Sequence, residues 1–190
     1  MCGRFDQAQS NREIDDLIAR LPPGSPPLKR GEIFPTNNAL ALVCSAGLPA
    51  PASIAWGFPR HDGKGVLINA RAESALQKPL FKKALLERPV AIPTTGFYEW
   101  QAAAGRKQKF LLTDPVRDTL WLAGFWNDFA HEEKPRRFAI LTTKANPSVC
   151  PLHDRMPVLL APDEVCPWLL GDNLAAILAR EPFALTARPV

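Results

Sequence analysis

Apolar residues at Ile14, Leu17, Ile18 and Leu21 recur at i, i+3, i+4 and i+7, the spacing of one helix face. Ser10-Asn11-Arg12-Glu13 reads as a capping box ahead of them, with Ser10 as the cap, and Pro22-Pro23 stops the run. Beyond it the pattern changes to short apolar stretches rich in Val, Ile, Phe and Trp, bounded by Gly, Pro or charged turns. These predict strands at 39–44, 52–57, 66–70, 89–93, 95–101, 108–113, 119–126 and 137–143, mostly antiparallel. Helical segments are predicted at 79–87, 162–170 and 173–180, the second opened by Pro162 with Asp163 and Glu164 beside it. No repeat or domain boundary breaks this order, and Pro22 to Pro27 reads as a loop inside one α+β domain of residues 1–190.

The length of 190 residues allows about 70% of the chain's surface to be buried. A hydrophobic fraction of 46% and a charged fraction of 22% are globular values and exclude a disordered chain, a collagen or a disulfide scaffold. The 20 prolines forbid long helices. No apolar run approaches the ~18 residues of a membrane span, and Met1-Cys2-Gly3-Arg4-Phe5-Asp6-Gln7 has no leader-like apolar region, which implies no membrane and a cytoplasmic location. The four cysteines, at 2, 44, 150 and 166, form no C-x-x-C pair and are expected as thiols. Cys150 and His153 make an isolated C-x-x-H without a second ligand pair, so neither a metal nor another cofactor is expected.

Charge is regional. Residues 56–110 hold ten Lys or Arg against four acids, a net +6, which leaves −2 for the rest of the formal +4. From charge alone such a block is either a surface for a polyanion or an ordinary solvated face.

The polar groups are more specific. Cys2 follows Met1, and removal of Met1 would leave a free α-amine beside a thiol. That pair traps an aldehyde: the amine forms an imine, the thiol adds to the imine carbon, and a five-membered thiazolidine closes. Alone, Cys2 is equally an accident of a chain end. Asn69-Ala70-Arg71-Ala72-Glu73 follows Val66-Leu67-Ile68 and sets an amide and a guanidinium at a strand end. Gly96-Phe97-Tyr98-Glu99-Trp100 places a carboxylate among aromatics, where desolvation raises its pKa toward that of a general acid. His153-Asp154-Arg155-Met156-Pro157 holds the one histidine of three in an apolar, proline-bounded context. Singly, Glu99 and His153 each read equally as structural residues.

Met1-Cys2-Gly3-Arg4-Phe5, Trp56-Gly57-Phe58, Asn69-Ala70-Arg71-Ala72-Glu73, Gly96-Phe97-Tyr98-Glu99-Trp100 and His153-Asp154-Arg155-Met156-Pro157 together resemble, in order, the signature blocks of the SOS response-associated peptidase (SRAP) family. The resemblance implies a compact SRAP-like domain with a mostly antiparallel, curved or barrel-like sheet and a few short flanking helices. It also implies a monomer that binds single-stranded DNA and links its N-terminal cysteine to the aldehyde of an abasic site. Carried over by residue, Cys2 is the nucleophile, Asn69 orients its amine, Glu99 donates and accepts protons, and His153 assists ring opening and reversal. On the DNA side the resemblance implies Arg4 and Arg71 on phosphates, Trp56 and Trp100 against unpaired bases, and further contacts from Pro35, Thr142 and Arg155, although a tryptophan in a strand reads equally as core.

One departure stands out. Where many relatives carry Tyr-Asn-x-x-Pro, this chain has Gly31-Glu32-Ile33-Phe34-Pro35, so Pro35 is kept and an acid replaces Asn. Glu32 either repels phosphate or pairs with an arginine nearby. Two rival readings use the same residues: a thiol peptidase built from Cys2, His153 and Glu99, and a noncatalytic binder of single-stranded or modified DNA.

Overall fold

The computed structural model describes residues 2–103 and 106–190; Met1, whose removal is expected above, lies outside them. In chain order the elements begin with strand β1 (Arg4–Gln7), helix α1 (Arg12–Ala19), β2 (Gly31–Ile33), β3 (Asn38–Ser45), β4 (Leu48–Trp56), β5 (Phe58–Pro59), β6 (Val66–Leu67) and β7 (Asn69–Arg71). Helices α2 (Ala72–Ala75) and α3 (Pro79–Glu87) follow, then β8 (Pro89–Thr94), β9 (Gly96–Ala103), β10 (Arg106–Thr113), β11 (Leu120–Asp128) and β12 (Arg136–Lys144). The chain ends with β13 (Arg155–Pro157), β14 (Leu159–Leu160), α4 (Val165–Leu170), α5 (Leu174–Ala179) and β15 (Thr186–Pro189). This is an α+β fold with short helices, as expected.

Two sheets carry it. The first is antiparallel throughout, in the order β15-β10-β9-β1-β2. In the second, the pairings β12–β4–β3–β8–β11 return to β12, with β13, β14 and β7 added at the margins. The ring is irregular where β12 meets β4, since only Arg137↔Ala55 and Phe138↔Trp56 are paired there. The mostly antiparallel expectation needs one amendment: β12 runs parallel to both β4 and β7.

Strand alternation divides the core in two. Leu40, Leu42, Ala91, Trp121, Ala123, Phe125, Ala139 and Leu141 face a cluster shared with helix residues Ile14, Leu17, Phe81, Leu85 and Trp168. Their neighbours Ala39, Ala41, Val90, Ile92, Leu122, Phe138 and Ile140 face a second cluster shared with Phe5, Ile33, Phe97 and Leu112 of the first sheet, and Cys2 lies in it. Burial on both faces explains the unbroken apolar runs of β3, β8 and β11.

Buried Gln7 ties the sheets together. Its Nε2 donates to the carbonyls of Leu40 and Pro93, each at 2.8 Å, and its Oε1 accepts from the Leu40 amide at 3.0 Å. Two glycines permit close approach. A Cβ on Gly96 would lie 2.5 Å from the Leu112 carbonyl oxygen, and Gly57, at φ +107°, would drive one to 2.7 Å from Val66. The cap of α1 is Asn11 rather than Ser10: its side chain accepts from the Ile14 amide at 3.0 Å while its Nδ2 donates to Asp118 O and Thr119 Oγ1. Tertiary partners in the segment just ahead of β11 select the longer amide side chain over the Ser10 hydroxyl. Among the described residues no helix is long and apolar enough to cross a membrane.

Candidate functional site

The site begins with the alternation of β9. Phe97 and Glu99 point inward, 0% and 3% exposed, whereas partly buried Trp100 points the other way. The acid and the tryptophan that adjoin in sequence therefore serve opposite faces of one strand. Cys2, just ahead of β1, is wholly buried on the acid's side, and its Sγ donates weakly to Arg4 O at 3.5 Å.

Asn69 approaches from the second sheet. It opens β7, which pairs with β12 at Ile140, and its Nδ2 donates to Cys2 O at 2.9 Å. Among the described residues its buried Oδ1 meets no hydrogen-bond donor, so an acceptor is held near the Cys2 backbone. His153 lies past the turn 146–152, anchored by its amide on Val149 O at 3.1 Å. The Arg155 amide donates to His153 Nδ1 at 2.9 Å, which leaves the ring proton of a neutral imidazole on Nε2. Asp154 Oδ1 is 2.7 Å from the same nitrogen, so a proton on Nδ1 would exchange the amide for this carboxylate.

Burial pushes the Glu99 carboxyl above the ordinary glutamate range, and His153 partly offsets the rise. Burial also pushes the Cys2 thiol well up, with the Glu99 charge adding to it. Cys2, Asn69, Glu99 and His153 thus form one connected group: a buried neutral thiol, an amide on its backbone, and a buried carboxyl with raised proton affinity beside an imidazole. The chemistry open to such a set is proton transfer beside a sulfur that burial keeps as a thiol.

The residues expected on DNA divide. On the outer face of the first sheet, the Arg4 guanidinium lies 4.3 Å from the Phe34 ring centroid and 5.1 Å from that of Trp100. Pro35 is half-buried next to exposed Phe34, and Arg71 is exposed at the end of β7. Trp56 must be corrected. It is 0% exposed, edge-on to Phe5 at 5.0 Å, stacked on Phe138 at 6.4 Å, and donates from Nε1 to Ile68 O, so its ring presents no face to a base. Thr142 is likewise 0% exposed, and its hydroxyl is turned to Ala70 O at 3.4 Å. Arg155 is spent internally, bidentate on Glu73 at 2.6 and 2.8 Å and donating to Thr142 O at 2.6 Å. That fork joins β13 to α2 and β12, holding the strand that follows His153.

Sequence reasoning missed Lys109 as a partner. Its Nζ donates to both carboxylate oxygens of Glu32, at 2.9 and 2.8 Å, and sits 3.9 Å from the Tyr98 ring centroid. The only signal was its place in the basic block. Glu32 itself pairs with Arg4 at 3.1 Å, which chooses between the two readings of this acid in favour of an arginine partner.

Known proteins are similar to this chain along most of its length. The abasic site processing protein YoaM of Bacillus subtilis is 29% identical over 183 residues, covering 91% of this chain and 81% of the relative. The abasic site processing protein YedK of Escherichia coli is 27% identical over 176 residues, covering 89% of this chain and 79% of the relative. A crystal structure of a protein from Bacteroides thetaiotaomicron superposes with a TM-score of 0.81 over all of this chain and 92% of its own, at 19% identity, which shows the shared fold. The family model described as SOS response associated peptidase (SRAP) matches residues 1–190, and with five signature blocks in order and that match over its full length, this chain belongs to the SRAP family.

Proposed function

We propose that this protein captures abasic sites in single-stranded DNA by closing a thiazolidine between the lesion's aldehyde and the amine and thiol of Cys2, after Met1 is removed. The observation that carries the reading is the convergence of Asn69, Glu99 and His153 on a buried cysteine two residues ahead of β1.

The chemistry follows from the side chains gathered at Cys2. An abasic sugar is mostly a closed hemiacetal, so a proton donor must first open it, and burial, by pushing the Glu99 carboxyl above its ordinary range, favours the form that can donate. The α-amine then attacks the aldehyde carbon, forming a carbinolamine that loses water to an imine. The thiol adds its sulfur to the imine carbon while its proton passes to the nitrogen, and the ring is closed with water as the only product lost. Asn69, whose Nδ2 already holds the Cys2 carbonyl, orients the amine through its Oδ1 acceptor in this reading. A thiol kept neutral by burial suits this second addition, in which it gives up its proton to the nitrogen, and gives a peptidase thiolate no support.

The relatives named as abasic site processing proteins agree with a DNA-lesion substrate. Intact mass measurement before and after incubation with abasic single-stranded DNA tests the reading. Mature protein should begin at Cys2 and gain the oligonucleotide mass less one water. A variant with an uncleavable extension ahead of Cys2 presents an amide in place of the amine, and undiminished stable adduct from it would defeat the mechanism.

A further inference from the structure

Arg4, Glu32 and Lys109 form a charged group on the outer face of the first sheet, away from Glu99. Lys109 on β10 and Glu32 on β2 are separated by β9 and β1, about 14 Å at ordinary strand spacing. Their side chains meet at 2.8 Å only by lying along the sheet, Lys109 across the Tyr98 ring at 3.9 Å. Both are about three-quarters covered, with side-chain exposures of 25% and 26%. Arg4 joins from the other side at 3.1 Å, with 38% of its side chain exposed. Burial alone would raise the Glu32 carboxyl, but the Lys109 and Arg4 hydrogen bonds outweigh it and hold it below the usual range, so Glu32 is a carboxylate.

One carboxylate thus takes bonds from two cations, which together carry one charge more than it neutralises. The ligands that an arginine and a lysine converge on in this way are oxyanions, and a phosphodiester oxygen presents the same acceptor geometry as a carboxylate. The surroundings favour a single strand. Partly buried Trp100, with Arg4 at 5.1 Å and Lys109 at 6.0 Å from its centroid, and exposed Phe34, with Arg4 at 4.3 Å, offer ring faces beside the charges. Holding two long side chains stretched over the sheet costs conformational freedom, so ion pairs this close to solvent yield little net energy and are exchangeable.

We propose that Arg4 and Lys109 are a phosphate seat which Glu32 fills in the DNA-free protein, so that single-stranded DNA binds here by exchanging a backbone phosphate for the Glu32 carboxylate. The inference rests on the single-stranded DNA reading above and adds Lys109 as a DNA ligand and Glu32 as an internal competitor. Glu32 lowers the noncovalent affinity for any strand, damaged or intact, and makes retention depend on the chemistry at Cys2.

The test is fluorescence anisotropy of the full chain with an undamaged single-stranded oligonucleotide across a salt series. Glu32→Gln should bind roughly tenfold tighter at low salt, since two weak ion pairs no longer compete. Its log-log salt slope should steepen by about 0.7 to 1.4, one or two phosphates neutralised by cations that are no longer already paired. Lys109→Gln should bind more weakly with a shallower slope, and the gain from Glu32→Gln should shrink in the Lys109→Gln background. Thermal melting checks folding, and Glu32→Asp, a shorter carboxylate that cannot reach both cations, should fall between wild type and Glu32→Gln. Unchanged or weaker binding by a folded Glu32→Gln with the wild-type slope would overturn the exchange while wild-type binding upholds the DNA reading. Failure of the wild type to bind any single strand would overturn both.

Discussion

Glu99 shows how one side chain takes its chemistry from its neighbours. A glutamate beside Trp100 would be an ordinary surface acid if β9 were shifted by one residue; inward, it is buried and keeps its proton to higher pH. The sign of the linked effect on stability follows. Because the folded-state pKa exceeds the unfolded value of about 4.3, the folded protein binds more protons between the two, and stability falls as pH rises through that window. Glu99→Gln should therefore melt higher than wild type at neutral pH, with the difference vanishing below about pH 4; a constant difference across pH would mean that the carboxyl is not raised. The same variant, and His153→Ala, should slow adduct formation by about 10²-fold to 10⁴-fold while leaving DNA affinity nearly intact, as removal of a proton carrier does. Stopped time courses at saturating DNA measure the rate, and equal loss of rate and affinity would make either residue positional.

At the scale of elements, legibility followed pattern length. The runs that became β3, β8, β11 and β12 were long, apolar and bounded by turn residues, so their place could be read directly. Strands β1, β2, β13, β14 and β15 span two to four residues, too few for a period to register, and only pairing makes them strands. The parallel contacts of β12 with β4 and β7 were illegible because topology, not local sequence, sets them. Cys2, Asn69, Glu99 and His153 were legible as separate motifs, whereas Trp56 read equally as core or as a DNA contact, and only Phe5 and Phe138, which reach it from distant strands, decide for the core. Gln7 was missed for the same reason: a polar residue in a four-residue strand carries no sign that it bonds Leu40 and Pro93. Gln7→Leu would leave the Leu40 amide and two carbonyls buried without that partner, at about 1–3 kcal/mol for a lost buried bond and more where several go together. Chemical denaturation should show a loss of about 2–4 kcal/mol, and because β1 follows Cys2, adduct yield should drop with it. A loss under about 0.5 kcal/mol would show that water replaces the side chain and that the sheets need no such tie.

For the whole molecule, the net +6 of residues 56–110 overstates the charge offered to DNA. Arg60 is held by Asp62 at 2.8 Å, Lys109 by Glu32, and Arg88 donates to Asn127, so part of the block is already engaged by the fold. Arg71 is different: it is exposed at the end of β7, two residues beyond Asn69, and among the described residues no acid of the block is paired with it. Trp100 offers its ring on the outer face, flanked by Arg4. A charge contact and a stacking contact leave separate signatures. Each phosphate neutralised on a single strand contributes about −0.7 to the log-log salt slope, so Arg71→Ala should weaken binding and make the slope shallower by about that amount. Trp100→Ala should cost about 1–3 kcal/mol of affinity with the slope almost unchanged, because stacking releases few counterions. Anisotropy titrations at several salt concentrations, with a melting curve for each variant, read both. If Trp100→Ala lowers the melting temperature while affinity holds, the tryptophan supports the sheet and does not stack on DNA. An Arg71→Ala variant with wild-type affinity at every salt would move the strand away from the end of β7, and the path of DNA would then have to run over the outer face alone.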